Sequence, residues 1–218
     1  MNASPLSIPN NRAATGMDVI LFQEHYNLSL LEMAFLLGSY HQRYQDLISS
    51  DEDQHKPIKN VSRALLLRIL FELSNDNKPF HVPILKERSK ESWPMMWPPA
   101  PDFMHIYHLY APNHAFIQDS VMNFSLVLGA SRNSGARWKR QRNKPHPVVE
   151  RLMTYMWALH QRDGGQKATS AHFKRVNAEA KGRGFKSMRH FMEHGSWTLP
   201  QDMGKKPRGR KKNTSNAD

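Results

Sequence analysis

Apolar residues recur at helical spacing along most of the chain, and no stretch holds the two-residue alternation of a half-buried strand over several segments. Between Met17 and Ser74 the pattern runs through Ile20, Leu21, Leu28, Leu31, Ala34 and Leu37, then Leu65, Leu66, Ile69, Leu70 and Leu73. Asn113–Gln161 is helical again, and Thr169–Trp197 predicts two short helices around Gly182-Arg-Gly184. Phe80–Pro112 differs: Pro83, Pro94, Pro98, Pro99, Pro101 and Pro112 alternate with Trp93, Trp97, Tyr107 and Tyr110. Prolines this dense break helices, while the aromatics argue for a segment laid onto a domain surface. The expectation is an all-α protein.

Within the second helical region, Val121–Arg140 has the layout of a helix-turn-helix: a first helix with an inward stripe, a tight turn, then a helix with a polar outer face. Phe124, Leu128, Ala130 and Trp138 supply the inward face. Gly129 falls where the turn needs positive φ, and Ser131 stands as N-cap of the second helix. That helix then offers Arg132, Asn133, Ser134, Arg137 and Arg140, donor-rich side chains of the kind that pair with base edges and phosphates. A basic loop with Lys-Pro follows, then an amphipathic helix through Met153, Met156 and Trp157.

This order of features over Phe116–Leu159 resembles the Cro/C1-type (Xre-like) helix-turn-helix domains. The resemblance implies that Ser131, Arg132, Asn133, Ser134, Arg137 and Arg140 read bases, and that Lys139, Arg142, Asn143 and Lys144 touch phosphates. Two positions depart from the family pattern. Gly135 stands where an apolar residue usually packs the second helix, and Lys139 replaces a common Glu after the aromatic.

A fainter copy of the layout lies upstream in Leu28–Ile48, with Met33, Ala34, Leu37, Gly38 and Leu47, followed by Lys56-Pro57 and an amphipathic helix over Val61–Leu73. Gly38 and Gly129 are 91 residues apart, which suggests a diverged duplication. Its outward face would carry Tyr40, His41, Gln42, Arg43 and Gln45, with Asp46, Asp51, Glu52 and Asp53 close behind. Phosphates repel such a loop, so this module is assigned a weak DNA role or a protein contact. The organisation expected is therefore a disordered tail (1–16), a helical module with the degenerate copy (17–78), the Pro/aromatic connector (79–112), a basic DNA-binding domain (113–199) and a disordered basic tail (200–218).

Charge sharpens the assignment. Residues 1–130 carry a net −3 and residues 131–218 a net +15, within a total of +12 over 218 residues. Such asymmetry calls for a polyanionic partner at the C-terminal half, although charge alone confers no sequence preference. The tail Gly204–Lys212 resembles an AT-hook, in which a Pro-Arg-Gly-Arg core enters the narrow minor groove of A·T-rich DNA. Pro207, Arg208, Gly209 and Arg210 match that core, flanked by Lys205, Lys206, Lys211 and Lys212. A generic polybasic tail would serve the same partner.

Other classes find little support. The chain has no cysteine, which removes disulfides and thiolate metal sites. It lacks a phosphate-cradling glycine loop, a nucleophile elbow and a paired-carboxylate site, so no enzyme and no cofactor is expected. His190 and His194 are four apart but lack the Glu of a zincin motif. No apolar run is long enough for a membrane span. The expectation is a cytoplasmic, nucleoid-associated transcriptional regulator of bacterial, plasmid or mobile-element type that binds double-stranded DNA as a homodimer. Activation is slightly favoured over repression, with the acidic module contacting RNA polymerase. Two alternatives stay open: an accessory DNA-binding protein of a partition, replication or conjugative-transfer complex, and an RNA-binding protein.

Overall fold

A computed structural model of the chain describes residues 7–39, 41–75 and 101–199. Apart from one isolated bridge pairing between Thr15 and Pro57, all regular structure among these residues is helical. The N-terminal part holds α1 (Gly16–His25), α2 (Leu30–Leu36), α3 (His41–Ile48), α4 (Asp51–His55) and α5 (Val61–Asn75). The remainder holds α6 (Phe103–Tyr110), α7 (Val121–Val127), α8 (Arg132–Lys139), α9 (Pro147–Asp163), α10 (Gly165–Gly182) and α11 (Met188–His194).

Local chemistry sets several of these boundaries. Ser29 accepts from the Glu32 amide at 3.2 Å while the Glu32 carboxylate accepts from the Ser29 amide at 2.6 Å, so α2 begins on a reciprocal capping box. Ser120 caps α7 by accepting from Asn123 N at 3.1 Å, and Ser187 caps α11 by accepting from His190 N at 3.1 Å. Pro147 opens α9 at a position where its missing N–H costs nothing.

The helix α5 organises the rest. Every residue from Val61 to Phe71 is buried, which an amphipathic surface helix could not show. It lies against α9, and α10 packs on both, with α6 beside α9 and α10. α1, α3 and α4 cluster together, α7 pairs with α8, and α11 rests on α10. One continuous apolar cluster runs from Phe22 and Met33 through Leu65 and Leu70 to Phe124, Leu152, Phe173 and Phe191. The two expected modules therefore share a core instead of each enclosing its own.

Burying α5 also buries two arginines. Arg68 donates from Nε to Glu179 Oε2 at 3.0 Å, and from its terminal nitrogens to the carbonyls of Ile8 at 3.3 Å and Arg12 at 2.5 Å. Glu179 also accepts from Ala14 N at 3.1 Å and from Arg183 at 2.8 Å. The disordered tail expected over 1–16 does not describe residues 7–16, which this network fixes in place, while residues 1–6 lie outside the described residues. Ser7–Thr15 runs across α5 and α10, with Ala13 and Ala14 buried, and its Ile8 and Arg12 carbonyls help to satisfy the buried Arg68 cation. Likewise α6, inside the expected connector, puts Phe103, Ile106, Tyr107 and Tyr110 into the core.

Candidate nucleic-acid interface

The α7–α8 pair is a helix-turn-helix in geometry. At the end of α7, Gly129 takes φ +80° and donates to Leu126 O at 2.8 Å, while Ala130 N donates to Ser125 O at 3.0 Å. Those two bonds form a Schellman turn, the closure that a positive-φ glycine permits. The remaining problem at a helix C-terminus is the orphan carbonyls. Here three consecutive carbonyls, the first of them shared with Gly129 N, are each reached by a side chain from a distant part of the chain. Trp197 Nε1 donates to Leu126 O at 3.0 Å, His172 Nε2 lies 2.8 Å from Val127 O, and Ser62 Oγ donates to Leu128 O at 2.6 Å. A carbonyl only accepts, so His172 carries its proton on Nε2. Burial pushes the pKa of His172 down to about 3, with the Arg175 charge acting in the same sense, so the ring is neutral.

α8 crosses α7 at unusually close range, and Gly135 explains how. A Cβ at this position would stand well inside 3.0 Å of the Val121 carbonyl oxygen and 3.0 Å from Ser125 Oγ. The apolar residue expected there has no room, and the glycine lets the two backbones meet. Ser125 Oγ adds a link by donating toward the Ser131 carbonyl at 2.8 Å. Trp138 fills the inner face beside Phe103, ring centroids 5.2 Å apart.

The predicted contact residues divide into three groups. Asn133, Arg137 and Arg140 are exposed and spaced four and three residues apart, which aligns them in one stripe. Lys139, Arg142, Asn143 and Lys144 are exposed at the end of α8 and in the loop that follows. That loop departs through Gln141, held at φ +53°, a conformation that glycine normally takes. Arg142 N donates back to Arg137 O at 3.2 Å, so the basic loop starts from a closed turn. No carboxylate occurs between Ser131 and Val149.

Arg132, Ser131 and Ser134 behave differently. The Arg132 guanidinium donates to Met192 O and lies against Gly195, joining the start of α8 to the end of α11. Half-buried and so committed, this side chain ties the start of α8 to α11 and stands apart from the exposed stripe. Ser131 and Ser134 pair with one another, Oγ to Oγ 2.9 Å, and Ser131 makes no side-chain cap bond despite its N-cap backbone. The tail residues Lys205, Lys206, Arg208, Gly209, Arg210, Lys211 and Lys212 lie outside the described residues, as does most of the connector. The histidine pair in α11 is engaged locally, His190 Nδ1 by Lys186 N at 3.4 Å and His194 Nε2 by Thr198 O at 2.7 Å.

Beside the basic loop is an open groove of about 470 Å³ lined by Asp102, Phe103, Trp138, Lys144 and Glu150 among others. Its acidic members, Asp102 at the N-cap of α6 and Glu150 on α9, line the same groove as Asn143 and Lys144. Ser62, His172 and Trp197 were invisible to sequence reasoning, since each reaches the turn from far along the chain. No family model, characterised protein or solved structure matches this chain. No helix among the described residues is long and apolar enough to cross a membrane.

Proposed function

We propose that this chain is a sequence-specific double-stranded-DNA-binding protein acting as a transcriptional regulator. The supporting observation is the exposed stripe Asn133, Arg137 and Arg140 on a helix whose approach turn is fixed by three separate side-chain donors. Asn suits adenine and Arg suits guanine in the major groove, and a rigid mount is what base discrimination requires. Lys139, Arg142, Asn143 and Lys144 supply the phosphate contacts that set register. The Cro/C1-type resemblance agrees with these roles, less Arg132. The tail from Lys205 to Lys212 adds a flanking minor-groove contact in this reading. The module ending in the exposed Asp51 and Glu52 is assigned to a protein partner, with RNA polymerase the partner an activator would need.

The test is selection of the full chain against random duplexes, followed by binding of variants to the enriched site. Arg137→Ala should cost about 1–3 kcal/mol at one base position and relax preference there, whereas Lys144→Ala should weaken all sequences alike. Absence of an enriched sequence, or equal effects of both variants on all duplexes, would overturn the assignment.

A further inference from the structure

The two helix-turn-helix units agree residue for residue in their boundaries. Ser29 and Ser120 are the N-caps, α2 and α7 have seven residues each, Leu37 and Leu128 are the C-caps, and α3 and α8 have eight residues each. Each boundary in one unit lies 91 positions from its counterpart. The turns close with the same bonds: Gly38 N to Phe35 O at 3.1 Å and Ser39 N to Ala34 O at 2.8 Å, matching Gly129 and Ala130. Gly38 takes φ +60° where Gly129 takes +80°. Even the exposed apolar side chain at the second helical position recurs, as Leu31 and Met122.

The units are also placed reciprocally. A Cβ on Gly38 would lie 3.0 Å from Pro147 O and Val148 Cα, at the start of α9. A Cβ on Gly129 would lie 2.8 Å from Ser62 Cα, at the start of α5. Each turn thus seats on the first residues of the helix that follows the other unit, and α5 packs against α9 between them. The upstream turn is held further on both sides, since Arg63 on α5 donates to Ser39 Oγ and the Arg151 guanidinium on α9 lies 4.6 Å from the Phe35 ring centroid; the reciprocity itself is carried by the two glycine seats. Contact of i with j matched by contact of j with i is the signature of a two-fold interface, here contained in one polypeptide.

We infer that the chain is a single-chain counterpart of a DNA-binding dimer and engages one non-palindromic site as a monomer. The inference rests on the DNA-binding reading above. Palindromic operators mirror the two-fold symmetry of a dimer of identical units. Here the paired units are unlike: α8 leads into a carboxylate-free basic loop, whereas α3 leads into the exposed Asp51 and Glu52. The faces by which α5 and α9 join the units are packed against one another, so they are not available to a second copy. The large apolar side chains exposed among the described residues are Leu21, Leu30, Leu31 and Met122. They form no stripe along a helix of the kind needed to bury the roughly 800 Å² per partner of a stable interface.

The test combines the mass of the full chain in solution, free and bound, with the motif enriched from random duplexes. The expected result is a free species of 25.3 kDa, one chain per duplex and a motif without an inverted repeat. Two chains on an inverted repeat would overturn the inference while leaving the DNA reading intact. A free mass of twice that value would overturn it whatever the DNA result. A monomer that enriches no motif removes the DNA reading and the single-site inference together.

Discussion

Replacing Gly135 with alanine tests the close backbone contact between α7 and α8. In an exposed helix interior this change stabilises by about 1 kcal/mol, because alanine loses less backbone entropy on folding. At position 135 the new methyl meets the Val121 carbonyl oxygen, with Ser125 Oγ only 3.0 Å away. The serine hydroxyl can rotate, but a backbone carbonyl in the first turn of α7 cannot. Relief therefore requires α8 to move off α7 by the better part of an ångström, which strains the Ser125–Ser131 link and the Trp138 packing. Overpacking of this kind costs about 1–3 kcal/mol, and a backbone obstacle places it at the upper end. Set against the propensity gain, the net loss is about 2 kcal/mol, or a fall in Tm of roughly 4–8 °C for a chain of this size. Urea unfolding and thermal melts read the loss directly, with Asn133→Ala on the exposed face as a comparison that should stay within about 0.5 kcal/mol. A Gly135→Ala protein more stable than the parent would show that the helices do not meet backbone to backbone, and the account of the site would fail.

Arg132→Ala should lower stability by about 1–2 kcal/mol through loss of a charged hydrogen bond to Met192 O, with base preference unchanged below the melting temperature; altered preference at unchanged Tm would return Arg132 to the reading set. Glu179→Gln leaves Arg68 and Arg183 without their shared buried counter-charge and should cost about 3–5 kcal/mol in urea unfolding; a loss under about 1 kcal/mol would show that the network is not cohesive. His172 stays neutral in the folded protein down to about pH 3, while the unfolded chain protonates it near pH 6.5. Its contribution to stability is therefore complete above pH 6.5 and declines as pH falls toward 3, by up to about 1.4 kcal/mol per pH unit. His172→Gln, which keeps a donor for Val127 O, should flatten the pH dependence between 7 and 5, and an unchanged slope would contradict the assignment.

The helix-turn-helix was legible because its signals are local. Gly129, Leu128 and Ser131 lie within a few residues of the turn, so sequence spacing alone places the turn and both helices. The same holds for the upstream unit, where Leu37 and Gly38 mark the turn. What stayed hidden depends on partners far along the chain. Gly135 looked like a defect because the expected pattern supplies an apolar knob, and only the approach of Val121 shows why a side chain is excluded. Arg132 has the composition of a base reader, yet Met192, sixty residues later, claims it. The N-terminal segment reads as a floppy tail by composition, since nothing in its residues announces that Arg68 and Glu179 need its backbone.

The seat beneath Gly129 has a consequence for how this protein can be divided. The turn that aims α8 rests on Ser62, which also holds the Leu128 carbonyl across a separation of 66 residues. A fragment beginning at residue 113 would keep every basic side chain of the interface and lose the bed on which its turn lies. It would also bare the faces of α9 and α10 that α5 covers. The α7–α8 unit is thus not a portable module that can be transplanted into a fusion. α8 takes its orientation from the half of the chain that carries the opposite charge, through Ser62 and the faces that α5 covers.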